Sequence, residues 1–115
     1  MSRILRRPSG PDATQRVRLD GREYVLRYRW VQRASTWALD VSDASGTLLI
    51  GGVKLVVNFP LLRDVRGARD EVPPGELYVL DPRDPPRPPT LESLGGPTAR
   101  VVYVTAAELA EGAAA

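Results

Sequence analysis

The sequence predicts an all-β fold: a small antiparallel β-sandwich or β-barrel of about six to seven strands with a short C-terminal helical turn. Polar and apolar residues alternate with a period of two along several segments, and turn-forming residues separate these segments at short intervals. Hydrophobic residues make up 43% and charged residues 26% of the 115 positions, which is the composition of one globular domain. No apolar run is long enough for a transmembrane helix.

The first predicted hairpin spans residues 15–30. Its two alternating segments are joined by Asp20-Gly21, a pair that favours the positive φ angles of a tight turn. In the returning strand, 22–30, aromatic and aliphatic side chains share one face and charged side chains share the other. We predict that the core contains Tyr24, Leu26, Tyr28, Trp30, Trp37, Leu39, Val41, Leu49, Val101 and Tyr103.

A second hairpin follows. A strand over 36–42 is expected to turn through Ser42–Gly46 into a nearly continuous apolar strand over 47–57. Gly51-Gly52 interrupts that strand and predicts a bulge or bend, where the chain can pass from one sheet to another.

The second half of the chain is expected to hold fewer regular elements. After a helical turn in 58–66 and a loop over 67–75, strands are predicted at 76–80 and 99–104, with another helical turn at 90–94 between them. The segment 81–89 contains five prolines, so it must be extended and lie outside the sheets. Thr105 and Glu108 have the spacing of a capping box, which predicts a short helix ending near Ala110.

These elements divide the chain into three parts. Residues 1–14 are predicted to form an extended basic N-terminal arm with little structure of its own, in which Ile4 and Leu5 provide an anchor. Residues 15–110 are predicted to form a single β-domain with a proline-rich loop at 82–89, and residues 111–115 a tail.

The charge of the chain is unevenly placed. Residues 1–33 hold nine arginines against three acids, whereas the rest of the chain is acidic, although the net charge is only +2. Complementary faces of this kind suit contacts with neighbouring subunits, and arginine suits interfaces better than lysine does. The predicted contact residues are Arg3, Arg6 and Arg7 of the arm, Arg27 and Arg29, and Arg83, Pro85, Pro86, Arg87 and Pro88 of the proline-rich tract.

The chain contains no histidine and no cysteine. Their absence removes the usual zinc sites, cysteine nucleophiles and histidine bases, so no catalytic residue, cofactor or metal ligand is assigned. A carboxylate-based hydrolase would need two converging acids, but Asp40 is predicted to face solvent and Asp43 to lie in a turn. Lys54 is an equally poor candidate for a buried, activated amine.

The alternative function from the residues alone is that of a single-stranded nucleic-acid-binding small β-barrel. Tyr24, Tyr28 and Trp30 lie beside Arg27 and Arg29, the residue types of a stacking platform with a basic rim. Strand alternation, however, puts the aromatic rings and the arginines on opposite faces, which favours a role for the rings in the core.

Five segments resemble, in their order, the small baseplate plug proteins of contractile-tailed bacteriophages, a family typified by a cyanophage baseplate. They are RLDGREYVLRYRW at 18–30, STWALDVSDASGTLLIGGVKL at 35–55, LLRDVR at 61–66, PGELYVLD at 74–81 and LGGPTARVVYVT at 94–105. Each segment alone is ordinary hairpin sequence, but together they span nearly all of residues 15–107.

The resemblance implies a structural, non-enzymatic protein of a contractile phage tail baseplate or a related contractile particle. It implies a plug or hub component in the virion, made in the cytoplasm of a bacterial host. Its expected partners are hub, spike, tube or wedge proteins, with several copies in a symmetric assembly. The resemblance implies no cofactor, and neither a membrane nor nucleic acid is an expected partner.

Overall fold

The computed structural model describes residues 3–5, 12–63, 65, 72–96 and 98–114, with side chains at 5, 12–63, 65, 72–96 and 98–110. Within these residues the chain forms seven strands, a 3₁₀ helix and one α-helix. The strands are β1 (Arg3–Ile4), β2 (Asp12–Leu19), β3 (Arg22–Val31), β4 (Thr36–Asp43), β5 (Leu48–Lys54), β6 (Glu76–Leu80) and β7 (Arg100–Val104). The 3₁₀ helix is Gln32–Ala34 and the α-helix, α1, is Ala106–Ala114.

The strands form two antiparallel sheets. One has the order β2-β3-β4-β5 and is a continuous meander; the other has the order β1-β7-β6, so its middle strand is the last in sequence. Buried side chains from both sheets form one hydrophobic cluster. The predicted all-β class is therefore confirmed, and the architecture is that of a two-sheet sandwich.

The first hairpin forms as predicted around Asp20-Gly21. The two residues have φ angles of 51° and 81°, and Leu19 pairs with Arg22. Both residues therefore occupy the left-handed region that a two-residue hairpin turn requires.

Most of the predicted core is confirmed. Eight of its ten residues are buried: Tyr24, Leu26, Tyr28, Trp37, Leu39, Val41, Val101 and Tyr103. Trp30 and Leu49 are only partly buried and pack against the cluster. Trp30 lies near the end of β3, where its ring meets that of Trp37 edge to face with the centroids 5.5 Å apart. Its indole N–H donates to the side chain of Gln32, so its polar edge lies outside the core.

The N-terminal segment is more structured than the sequence predicted. Arg3 and Ile4 pair with Tyr103 and Val102, and the strand predicted from Gln15 begins at Asp12. The predicted anchor Leu5 is buried, and its main-chain N–H donates to the carbonyl of Val101 at 2.8 Å. Strand β1 forms because the main chain can pair with one edge of β7, a non-local contact that leaves no period in the sequence.

The predicted bulge near Gly51-Gly52 is present, because the register between β4 and β5 shifts between Leu39 and Val41. The chain nevertheless stays in the same sheet until Lys54 and crosses afterwards. Val57 then forms a parallel bridge with Val79, and the main-chain N–H of the next residue, Asn58, donates to the carbonyl of Val79. The crossing is thus three or more residues later than the glycines.

The capping box at the start of α1 is confirmed. The main-chain N–H of Thr105 donates to Glu108 at 3.2 Å, and the N–H of Glu108 donates to the hydroxyl of Thr105 at 3.3 Å. The helix continues to Ala114, beyond the predicted end near Ala110 and into the predicted tail. It is rich in alanine, the best helix former. Among the described residues, no helix has the length and apolar character needed to cross a membrane.

One hydrogen-bond network ties the two sheets together. The hydroxyl of Tyr103 on β7 donates to Asp20 in the first hairpin at 2.6 Å and accepts from the main-chain N–H of Gly75 at 2.8 Å. The same carboxylate of Asp20 accepts from the N–H of Ala106 at 3.0 Å. The first turn of the domain therefore holds both its last strand and its helix.

Candidate interaction surface

The outer face of the four-stranded sheet carries a network of ion pairs. Arg27 binds Asp12 through two hydrogen bonds of 3.0 and 2.7 Å, and Arg29 binds Asp40 through two of 3.0 Å. In the strand register Asp12 stands opposite Arg29, and Asp40 stands opposite Arg27. Each acid thus binds the arginine diagonal to it, and both arginines lie between the two acids.

This network changes the electrostatics of both acids. Hydrogen bonding from Arg27 lowers the pKa of Asp12. Burial would raise the pKa of Asp40, but hydrogen bonds from Arg29 and from the N–H of Gly52 outweigh it and hold that pKa below its usual value. The predicted contact residues Arg27 and Arg29 therefore both have their charges compensated within the chain.

The aromatic rings of β3 do not form an open platform. Tyr24 and Tyr28 are almost completely buried, and the hydroxyl of Tyr28 donates to Gln15 at 2.9 Å. Burial raises the pKa of Tyr28. Since stacking with bases needs an accessible ring face, neither of these tyrosines can supply it.

The proline-rich tract is fixed by the carboxylate of Asp81. This buried group accepts hydrogen bonds from the guanidinium and N–H of Arg83 and from the N–H of Arg87. Hydrogen bonding from the Arg83 side chain, with help from the two N–H groups, strongly lowers the pKa of Asp81. Asn58 binds both the N–H and the carbonyl of Asp81, so the tract starts from a fixed point.

The far end of the tract is attached to the core. The indole N–H of Trp37 donates to the carbonyl of Thr90 at 2.8 Å, and Pro89 is buried. Between the two attachments Pro85, Pro86, Arg87 and Pro88 are exposed.

A groove of about 350 Å³ lies between this tract and the four-stranded sheet. It is lined by residues 34–36 at the start of β4, by residues 54–57 where the chain leaves the sheet, and by Pro86 and Pro88. Most of its lining is apolar. Two of the sequence-predicted contact residues thus line a concave surface.

The acids considered for hydrolysis, Asp40 and Asp43, both accept hydrogen bonds that stabilise the fold. One oxygen of Asp43 accepts hydrogen bonds from the N–H groups of Ser45 and Thr47 and from the hydroxyl of Ser45. The hydrogen bond from the Ser45 hydroxyl is the largest cause of the lowered pKa of Asp43. Asp40 is bound to Arg29. A general acid needs a raised pKa, so neither acid has the property that the reaction requires. Within the described residues no cluster of acids is arranged to hold a metal ion.

The structure distributes the predicted contact residues over separate surfaces. Arg27 and Arg29 lie on the outer face of the sheet, the proline-rich tract borders the groove, and Arg3 lies in β1. Arg6 and Arg7 lie outside the described residues. The sequence analysis missed the role of Lys54 as a residue that lines the groove and that of Asp81 as the anchor of the tract. The Asp-Pro-Arg spacing at 81–83 is the signal that identifies such an anchor, because an aspartate often bonds the main chain two residues on.

The fold and the surface define a small β-sandwich with paired charges on the outer face of one sheet and a mostly apolar groove beside the proline-rich tract, features that suit a building block in a protein assembly. No curated protein matches the chain. A family model described as the cyanophage baseplate Pam3 plug gp18 matches residues 1–107. The chain belongs to this family of phage baseplate plug proteins, which gives it a structural role in the baseplate of the virion.

Proposed function

We propose that this protein is a non-enzymatic plug of a contractile tail baseplate, or of a related contractile particle, that fills the hub and cross-links its neighbours. Several copies would occupy a symmetric assembly in contact with hub, spike, tube or wedge proteins. The chain would be made in the cytoplasm of a bacterial host and incorporated into the tail. The observation that carries the proposal is the family match along residues 1–107.

The geometry supports a structural role over a catalytic one. The two acids considered for hydrolysis, Asp40 and Asp43, accept hydrogen bonds from Arg29 and from the turn after β4, and both have lowered pKa values. In the described part of the chain, these contacts stabilise the fold and leave neither carboxylate as an available proton donor.

We further propose that the partner contacts come from the basic arm over 1–14 and from the proline-rich loop at 82–89. The single β-domain over 15–110 would hold these two segments in place. Support comes from β1, which attaches the arm to β7, and from Asp81, which fixes the tract without covering its prolines.

The nucleic-acid alternative receives little support. Tyr24 and Tyr28 are buried, and Arg27 and Arg29 are paired with acids. A true single-strand binder would be retained on single-stranded DNA at low salt and released as salt rises. We expect no such salt-dependent retention of the purified chain.

The deciding experiment is a protein inventory of purified particles, with this chain followed by an antibody and quantified by mass spectrometry. We expect it to co-migrate with sheath, tube and spike proteins at a fixed low copy number. A chain that is found only as a free monomer, and in no particle, would contradict the proposal. The Arg83→Ala and Pro88→Ala variants would then test whether the tract is needed for incorporation. Arg100→Ala is the control, because Arg100 is exposed on β7 and lies outside both the arm and the tract.

A further inference from the structure

We propose that the groove beside the proline-rich tract binds an extended, apolar and acidic segment of a neighbouring baseplate protein. This inference rests on the proposed function, because it names the kind of partner that the plug holds at this surface. It is carried by the rigidity of the groove, by unpaired main-chain donors in its wall and by the charges around it.

The walls of the groove are fixed from several sides. The N–H of Leu55 donates to the carbonyl of Trp37 at 3.1 Å, and the indole of Trp37 holds Thr90 at the end of the tract. On the other side, Asp81 holds the N–H of Arg87, between the two prolines that line the groove. A volume of about 350 Å³ is within the range of ligand sites, and a preformed site avoids the entropic cost of ordering its walls.

The wall formed by residues 54–57 contains main-chain N–H groups that are available for hydrogen bonding. The N–H groups of Leu55 and Asn58 are bonded to Trp37 and Val79, but in the described part of the chain those of Val56 and Val57 have no hydrogen-bond partner. An extended peptide carries carbonyl oxygens at regular intervals, and these could accept hydrogen bonds from the free N–H groups. Exposed strands bind peptide segments through such main-chain hydrogen bonds.

The charged side chains around the groove are mainly cationic, and these cations have no ion pair among the described residues. Lys54 lines it, Arg33 directly precedes the wall at 34–36, and Arg87 lies between the two lining prolines. None of these three side chains has an ion pair with any described residue, in contrast to Arg16, Arg27, Arg29 and Arg83. Asp84 on the tract is the one nearby acid that is also unpaired among the described residues, so positive charge predominates and favours an acidic partner.

The lining also distinguishes a peptide from a nucleic acid. It contains alanine, serine, threonine, lysine, leucine, valine and proline, but no aromatic residue. Single-stranded nucleic acids are bound largely by stacking of bases on aromatic rings, whereas aliphatic side chains suit valine-like or leucine-like side chains of a peptide.

The test is photo-crosslinking within assembled particles. The photo-reactive residue p-benzoylphenylalanine replaces Val56, a lining side chain that is 43% exposed, and in a matched control it replaces Leu48, which is 55% exposed at the other end of β5. After irradiation, crosslinked peptides are sequenced by mass spectrometry. We expect the Val56 position to crosslink to a segment of another baseplate protein in which Asp and Glu outnumber Lys and Arg, and the Leu48 position not to reach that segment.

Charge variants test the electrostatic part. Lys54→Glu combined with Arg87→Glu should lower the crosslinking yield at Val56 about tenfold, as expected when two cationic side chains that attract an acidic segment are reversed in charge. Arg100→Glu is the control, because Arg100 on β7 is also exposed and unpaired among the described residues but does not line the groove. If the Val56 variant does not enter particles, the photo-reactive residue is placed at Pro88 on the opposite wall.

The outcomes separate this inference from the proposed function. The inference alone would be overturned if particles contain the chain but show no crosslink at the groove. The same holds if the crosslink is to nucleic acid, to a second copy of this chain or to a basic segment, or if the charge variants leave the yield unchanged. Absence of the chain from every particle would overturn both.

Discussion

Trp37 is the side chain that connects the core, the crossing segment and the proline-rich tract. It is 1% exposed, and its indole donates to Thr90. We expect Trp37→Ala to lower the free energy of unfolding by about 3–5 kcal/mol, because it opens a cavity and leaves a carbonyl without its donor. Urea denaturation measures this loss. Trp30→Ala is the control and should be less destabilising, since Trp30 is only partly buried; a loss below about 1 kcal/mol for Trp37→Ala would contradict its position in the core.

Asp81 makes the stability of the tract depend on pH. Its pKa is lower in the folded chain than in the unfolded chain, chiefly because of the hydrogen bond from Arg83. The stabilisation is complete above the unfolded pKa of about 3.9 and is lost as the pH falls from there towards the lower folded pKa. Asp81→Asn, which cannot ionise, should therefore be less stable than the wild type at neutral pH, and the difference should shrink below about pH 4.

Urea titrations of both proteins at a series of pH values measure that difference. Asp84→Asn is the matched control, because Asp84 lies in the same tract but has no partner among the described residues. A difference between Asp81→Asn and wild type that stays constant from neutral to acidic pH would show that the carboxylate charge is not what fixes the tract.

At the scale of elements, local sequence patterns correctly predicted the turns, strands and helix caps that depend on residues close in sequence. The Asp20-Gly21 turn, the strand at 76–80 and the capping box at Thr105 formed as expected, because each depends on residues close in sequence. Strand β1 and the crossing after Lys54 were not predicted, because both depend on main-chain pairing with distant strands. Periodicity gives no information about a partner strand.

Gly75 marks the close approach of a loop to β7. A Cβ atom there would overlap the carbonyl oxygen of Val104 and the hydroxyl of Tyr103. We expect Gly75→Ala to cost about 2–4 kcal/mol, because it displaces β7 and breaks the hydrogen bond from Gly75 to Tyr103. Thermal or urea denaturation measures it. Gly51→Ala is the control, since its Cβ would meet only side-chain atoms, the nearest being the end of the flexible Leu48 side chain. Equal effects of the two substitutions would contradict the close approach.

At the scale of the whole molecule, one core joins both sheets. Because side chains such as Leu26 and Val101 belong to the same buried cluster, neither sheet keeps its apolar face covered without the other. We expect the sheets to unfold together. Fluorescence reports on the four-stranded sheet, which holds Trp30 and Trp37, and far-UV circular dichroism reports on both sheets. The two denaturation curves should coincide, and separate midpoints would show that the sheets are independent.

The candidate surface could be predicted only in part, because the pairing of charges across the molecule is not visible in the sequence. The sequence identified the proline-rich tract, which borders the groove. It could not tell that Arg27 and Arg29 are neutralised while Lys54 has no ion pair among the described residues, because pairing of charges depends on the register of neighbouring strands. Charge counted along a sequence is therefore a poor guide to the charge that a partner meets.

The order β1-β7-β6 has a consequence for synthesis. The middle strand of that sheet, Arg100–Val104, leaves the ribosome after the other six strands, so β1 and β6 have no strand to pair with until then. A nascent or truncated chain that lacks β7 exposes the inner face of the completed four-stranded sheet and is a substrate for chaperones and proteases. Only chains that include β7 can close both sheets around the core, so copies truncated before β7 would be excluded from assembly.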